Sequence, residues 1–448
     1  MGPTLHDTLI SFRKGYAAAN PKSRQYHEEA CKYMPGGNTR TVLHLDPFPL
    51  TIDHGHECYL TTVDGRRYTD FLGEYTAGIY GHNHPVIRQA IEDAVQGGWN
   101  YGGCNKQEPE LAKIVCERFP AIELVRFVNS GTEANMMALA TALAFTGKKK
   151  ILIFNKGYHG STISGRTASN KPSINLPHDF IVGTYNDVQG TESLIKSLPK
   201  DSLAAILLEP MLGSGGCYLA SSEFLSTLRR LATDHGALLI FDEVMTSRLH
   251  YHGLGSQTGV TPDLMTLGKW VGGGMSFGAF GGRRDIMQMY DPRDGALQHP
   301  GTYNNNCFTM SAGVAGCKLL DQARINELNA LGNGMRMAIE TVLSNRGVLQ
   351  GCTIPSSPVT DDMHTAGHPQ RPPKMFVKGK GSLLTIQFAG PAAADFQELF
   401  YFWMLERGFY IAPRGFIALN IMLTETSVTS FVDALDLFAA EWHHELLW

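Results

Sequence analysis

The sequence has little of what marks several large classes of protein. Its eight cysteines are scattered over 448 residues without one C-x-x-C pair, so they read as reduced thiols of an intracellular protein rather than a disulfide framework. No run approaches the roughly 18 uncharged apolar residues needed to span a bilayer. The opening MGPTLHDTLISFRKGYAAAN lacks a signal-peptide hydrophobic region, and His6 stands where a myristoylation pattern needs Ser or Thr. The closing HELLW is neither a prenylation nor a peroxisomal signal. A soluble, cytoplasmic protein with no membrane partner is the expectation.

Strong charge of one sign is missing too. The formal net charge is −4, and the compact basic run Lys148–Lys150 reads as a dipole partner at a helix end. No basic face is offered to nucleic acid. No G-x-x-x-x-G-K-[ST] loop occurs, so any phosphate held here belongs to a cofactor rather than to a hydrolysed nucleotide. The histidines of DHGH (53–56) and GHNHP (81–85) come without a convincing ligand set, and no metal is assigned.

What is present is a long, well-mixed chain, 43% hydrophobic and 18% charged, enough for two or three domains. Short apolar runs ending in polar residues recur at 124–130, 150–155, 203–210 and 237–243, separated by helical patterns such as Glu133–Thr146 and Ser222–His235. Strands alternating with helices predict an α/β fold with a largely parallel sheet buried on both faces. Ligands of such sheets sit at the carboxyl ends of strands, so Ser130, Glu209 and Asp242 should face one cleft. Helical pattern returns at 322–345, residues 352–374 read as an exposed Pro-rich loop, and a strand at 382–388 precedes helices near 392–406 and 426–445. The expected organisation is an N-terminal segment 1–74 joining the small domain, a large domain 75–325, and a C-terminal small α+β domain 326–448.

Four local signals carry chemistry, and each also has a plainer reading. Ser130 and Glu133 have the spacing of a capping box; Gly131 and the flanking hydroxyls of Ser130 and Thr132 also make a helix start that can hold a phosphate. Asp242 closes a buried strand and is either a cap or structural ion pair, or a carboxylate that keeps a heterocyclic nitrogen protonated. Lys269, flanked by Gly268 and Gly272–Gly274, is either a snorkelling strand-end lysine or an amine nucleophile toward aldehydes, the glycines letting backbone approach a flat ligand. Tyr158, in NKGYHG, is a core ring or a stacking face. In this order the four are the parts needed to hold pyridoxal phosphate.

NSGTEANMMALATALAFTG, GYHG, LLEPM, LLIFDEVMTSR, PDLMTLGKWVGGGMSFGAFGGR and GTYNNN together resemble the class III aminotransferases, which are fold type I pyridoxal-phosphate enzymes. The match covers most of residues 30–350 and resumes near Gly381. The resemblance implies a large domain with a mostly parallel seven-stranded sheet, a smaller α+β domain, and pyridoxal 5'-phosphate as cofactor. By it, Lys269 would bind the cofactor covalently and move the proton, and Asp242 would pair with the pyridine nitrogen. Tyr158, with His159 beside it, and Val244 would flank the ring. Ser130, Gly131 and Thr132 would hold the phosphate, and Glu209 would order the site. Thr302 would reach the phosphate in a second copy, which implies a homodimer with shared active sites.

Within the class the chain most resembles β-phenylalanine (β-amino acid) aminotransferases and glutamate-1-semialdehyde aminomutase. Arg40 in PGGNTRTV and Arg414 in YIAPRGF fall where the β-amino acid enzymes use arginines to grip carboxylates, a task suited to a guanidinium fork. By resemblance Arg40 would hold the carboxylate of the β-substrate and Arg414 that of the keto acid acceptor. Ser247 and Asn304–Asn306 replace segments common in other members and favour this branch, whereas Ala412 and the loop 352–374 depart from it. The reading is transfer of the amino group of an aromatic, β-phenylalanine-like acid to 2-oxoglutarate or pyruvate. An aminomutase-like enzyme and a non-catalytic relative are the alternatives.

Overall fold

The computed structural model describes residues 4–165, 174–358 and 371–448. The chain divides into two compact units, one of residues 1–84, 330–355 and 359–448, the other of 85–329 with 356–358.

The larger unit is built on a seven-stranded sheet. Its spatial order is Leu124–Val128, Gly278–Gly282, Leu264–Gly268, Leu238–Asp242, Leu203–Leu208, Lys150–Phe154 and Asp179–Gly183. The Gly278–Gly282 strand pairs antiparallel with both neighbours, and the other pairings are parallel. Side chains alternate between two packed faces, as a buried sheet requires. Leu152, Ile206, Leu208, Leu239 and Phe241 pack with the helix Ser222–Asp234 on one side. Ile151, Ile153, Ala205, Leu207, Leu238 and Ile240 pack with the helix Gly131–Thr146 on the other. Phe241 is fully buried; sequestering such a ring stabilises the unit by about 1.5–3 kcal/mol. Glu209, Asp242 and Lys269 stand at or just after the carboxyl ends of parallel strands.

The smaller unit is α+β. Met375–Lys380 and Leu383–Phe388 form a hairpin, with Phe416–Ala418 beside it. The hairpin turn places Gly381 at φ +54, a left-handed geometry that a two-residue hairpin favours and glycine adopts freely. Ile52–His56, Tyr59–Thr62, Arg67–Asp70 and Phe409–Tyr410 make a second sheet. Helices Leu5–Ala19, Ala393–Glu406 and Glu425–Glu441 supply an aromatic core in which Phe388, Phe396, Phe400 and Phe438 meet.

The loop expected over 352–374 differs in part. Its described ends lack regular structure, but Pro355, Pro358, Pro372 and Pro373 are buried rather than exposed. Prolines carry no N–H to satisfy, so their rings bury at little polar cost. Residues 359–370 of that loop lie outside the described residues. No helix among the described residues is long and apolar enough to cross a membrane.

Candidate active site

The first cluster begins where the strand Leu124–Val128 gives way to the helix Gly131–Thr146. Ser130 has extended backbone, and its Oγ accepts a hydrogen bond from the Glu133 amide at 3.1 Å. The expected reciprocal bond is displaced by one residue: Glu133 Oε2 accepts from the Asn129 amide at 2.8 Å, not from that of Ser130. The amides of Gly131 and Thr132 find no acceptor within the helix, so its positive dipole end is available to an anion. Gly131 is needed for packing, because a Cβ there would lie 2.8 Å from Val244 Cγ1. A Cβ on Gly160 would lie 2.4 Å from Thr132 Cγ2, which places Thr132 against the GYHG loop.

Asp242 is the hub. It is 4% exposed, a costly place for a carboxylate unless donors meet it. Its Oδ2 lies 2.8 Å from both His159 Nδ1 and Asn135 Nδ2, and its Oδ1 accepts from the Val244 amide at 3.0 Å. Asn135 is locked in turn by Thr266, whose Oγ1 donates to Asn135 Oδ1 at 2.7 Å. The parallel register sets Thr266 directly opposite Asp242. His159, Asn135 and Thr266 are all buried, so the network has little freedom to rearrange.

Glu209 ties the neighbouring loops together. Its Oε1 accepts from the Tyr158 amide at 2.9 Å and its Oε2 from the Gly213 amide at 2.6 Å. Burial pushes its carboxyl up to about 7; the Asp242 charge adds to this, while His159 and the two amides pull the other way. The Tyr158 ring is 43% exposed, which removes the core reading and leaves a ring face free for stacking.

Lys269 directly follows the Leu264–Gly268 strand at φ +55. A left-handed lysine costs on the order of 1–2 kcal/mol, strain that persists only where the surroundings enforce it. A Cβ on Gly268 would lie 3.1 Å from Val244 Cγ1 and 3.5 Å from Gly131 Cα, so Lys269 leaves the point where those residues converge. Two of the glycines after it, Gly272 and Gly273, are required by packing. A Cβ on Gly272 would lie 2.3 Å from Phe277 Cβ, and one on Gly273 would lie 2.4 Å from the Ala312 backbone. They give clearance to the chain's own packing. Ser247 also gains a reason: its Oγ accepts the Trp270 indole N–H at 2.9 Å, both residues being fully buried.

Thr302 is exposed. Its turn is anchored through Asn304 Oδ1, which accepts from Asn129 Nδ2 at 3.1 Å, and Asn306 caps the helix Cys307–Leu319 by accepting from the Thr309 amide at 2.9 Å.

The second cluster lies in the smaller unit. The Arg40 and Arg414 guanidinium groups each stand 5.4 Å from the centre of the Tyr75 ring. Tyr75 stacks on Phe416 at 6.5 Å with an interplanar angle of 6°. Burial raises the Tyr75 hydroxyl above its ordinary value, and Arg414 and Arg40 oppose that rise. Arg40 Nη1 contacts Glu74 Oε1 at 2.5 Å. Arg40, Glu74 and Tyr75 help line a cavity of about 630 Å³, with Asp70, His82, Tyr401 and Tyr410.

Residues 43–350 match the family model for class-III aminotransferases. The chain belongs to that family. It is 44% identical over 445 residues to a β-phenylalanine transaminase of Variovorax paradoxus, covering 97% of this chain and 96% of that one. It superposes on the crystal structure of a β-phenylalanine aminotransferase from Variovorax paradoxus with a TM-score of 0.90, at 41% identity and 99% coverage of each chain. It is also 35% identical over 426 residues to a glutamate-1-semialdehyde 2,1-aminomutase of Lachnoclostridium phytofermentans, covering 89% of this chain and 94% of that one.

As a class-III aminotransferase this protein is a transaminase of the fold type I architecture, and its cofactor is pyridoxal 5'-phosphate. The first cluster fits that cofactor. A helix start with free amides suits a phosphate, a buried carboxylate with fixed partners suits a ring nitrogen, and a half-exposed tyrosine and a lysine complete the set. The sequence reading did not single out Asn135, Thr266, Glu74 or Tyr75. Thr266 is placed by the register that sets it opposite Asp242 and Asn135 by the helix turn that faces that strand, neither of which sequence pattern carries.

Proposed function

We propose that this aminotransferase moves the amino group of a β-amino acid, aromatic and β-phenylalanine-like, to 2-oxoglutarate or pyruvate. The observation that carries the reading is the pair of guanidinium groups on the Tyr75 ring. Likeness to the Variovorax β-phenylalanine transaminase over nearly the whole chain supports it.

When bound, pyridoxal phosphate supplies an electron sink that lets the amine-bearing carbon release its proton. Lys269 Nζ takes that proton and returns it. Asp242, held in place by His159, Asn135 and the Val244 amide, would keep a proton on a heterocyclic nitrogen. Ser130, Gly131 and Thr132 bind the phosphate. Tyr158 and Val244 confine the ring, and Glu209 keeps the Tyr158 loop in place through its amide. Arg40 grips the donor's carboxylate, which stands one carbon farther from the amine than in an α-amino acid. Arg414 takes the α-carboxylate of the acceptor. A misplaced carboxylate costs rate through misaligned geometry, so this spacing selects the donor. The enzyme acts in the cytoplasm as a homodimer in which Thr302 of each copy completes the other's phosphate site; the exposure of Thr302 in the single chain agrees with that role.

A panel of β-aromatic, β-aliphatic and α-amino acids, each with 2-oxoglutarate and with pyruvate, tests the reading. Fastest turnover with β-aromatic donors is expected. Turnover only of glutamate-1-semialdehyde, with no keto acid required, would replace it with the aminomutase reading.

A further inference from the structure

The segment Gly73–Thr76 holds an unusual backbone beside Arg40. Glu74, Tyr75 and Thr76 have φ of +45, +50 and +85, three consecutive non-glycine residues in the left-handed region. Such conformations persist only where the surroundings over-determine them, and they cluster at ligand clamps and switch regions. Here the enforcing contacts are visible. Asp70 Oδ1 accepts from the amides of Leu72 and Gly73 at 2.8 and 3.0 Å. A Cβ on Gly73 would lie 2.7 Å from the Ala418 carbonyl oxygen, so no other residue fits. The Tyr75 hydroxyl donates to the Val42 carbonyl at 3.3 Å.

The consequence is a division of labour between neighbours. Tyr75 is 8% exposed and presents its ring to both guanidinium groups, while Glu74 is turned outward onto Arg40. The Glu74 and Arg40 side chains are 57% and 40% exposed. A pair this wet is held weakly and exchanges readily. A carboxylate paired to the arginine assigned to carboxylate binding is an internal competitor for the ligand.

We infer that Glu74 is a specificity-determining residue for transamination: it occupies Arg40 until the carboxylate of a substrate takes its place. The inference rests on the reading of Arg40 as the donor-carboxylate residue. Glu74 neutralises Arg40 when an amine without a carboxylate is present, so only an acid can compete for the fork. Acting through Arg40, Glu74 should influence donor binding rather than proton transfer.

The test uses holoenzyme carrying Glu74→Gln, with Glu74→Asp and Arg40→Ala alongside. For Glu74→Gln, KM for β-phenylalanine and the inhibition constant of 3-phenylpropanoate, a carboxylate without the amine, should both fall about two- to fivefold. The change should sit in KM rather than kcat, the Glu74→Asp values should lie between wild type and Glu74→Gln, and KM for 1-phenylethylamine should not follow. Unchanged or weaker 3-phenylpropanoate binding in Glu74→Gln, with Arg40→Ala still raising KM for β-phenylalanine about 10- to 100-fold, would overturn the role of Glu74 and leave the proposed function standing. Unchanged β-phenylalanine kinetics in Arg40→Ala would instead overturn the reading on which it rests.

Discussion

Asp242 and Glu74 are both carboxylates set against a nitrogen base, and they are built in opposite ways. Asp242 is 4% exposed, and both its oxygens are engaged by His159, Asn135 and the Val244 amide. The Glu74 side chain is 57% exposed and meets Arg40 on strained backbone. A buried, fully bonded charge cannot follow a ligand and is suited to holding one electronic state in place. An exposed pair yields to a better partner at little cost. Within one chain, the buried carboxylate belongs to the unit that carries Lys269 and the exposed one to the unit that carries Arg40 and Arg414.

That contrast can be broken in several places. The largest effect should come from Lys269→Ala, which removes the amine proposed to move the proton: turnover should drop by about a thousandfold or more in steady-state assays. Asp242→Asn keeps the shape but loses the charge, and kcat should fall about 100- to 1000-fold. Circular dichroism should show the fold kept, and an Asp242→Asn enzyme of near-normal rate would reduce the buried network to packing.

Arg40→Ala removes the proposed hydrogen bonds to the donor's carboxylate, each worth about 1.5–3 kcal/mol, so KM for β-amino acids should rise about 10- to 100-fold. Cofactor absorbance should be retained, which separates a loss in the exposed region from one in the buried region.

The smallest effect concerns a second buried carboxylate. Burial raises Glu243 from 4.5 to about 7, against hydrogen bonds from Thr246 and from the Gly255 and Leu254 amides, with Asp242 adding to the rise. The folded state then binds more protons than the unfolded state between those values. The associated stability is fully present below about 4.5 and is lost as pH rises through about 7. Relative to Glu243→Gln, the wild type should lose a few degrees of Tm over that window in thermal melts.

The buried region was the more legible of the two in the sequence. Ser130, Asp242 and Lys269 each end a strand or open a helix, so local pattern and position announce them together. The helices Gly131–Thr146 and Gln322–Asn345 fall close to their predicted bounds for the same reason. Asn135 and Thr266 escaped notice because their role comes from register and from a turn of helix facing a strand, which are tertiary facts. The Gly278–Gly282 strand was hidden by its glycines, which have low strand propensity and survive here through close packing, a Cβ on Gly278 lying 2.1 Å from the Ser130 carbonyl oxygen. Glu74 and Tyr75 gave no signal at all. Left-handed backbone is ordinarily announced by glycine or asparagine, and here contacts from Asp70 and Ala418 impose it on residues that do not favour it.

The donor half-reaction tests the account most directly. Pyridoxal-phosphate-loaded enzyme is mixed with β-phenylalanine and no keto acid, and the cofactor absorbance and the released β-keto acid are followed together. The account predicts a rapid spectral change with one β-keto acid formed per active site, and a much slower change with α-phenylalanine. An unaltered spectrum with β-phenylalanine, alongside a prompt response to an α-amino acid or to glutamate-1-semialdehyde, would contradict it.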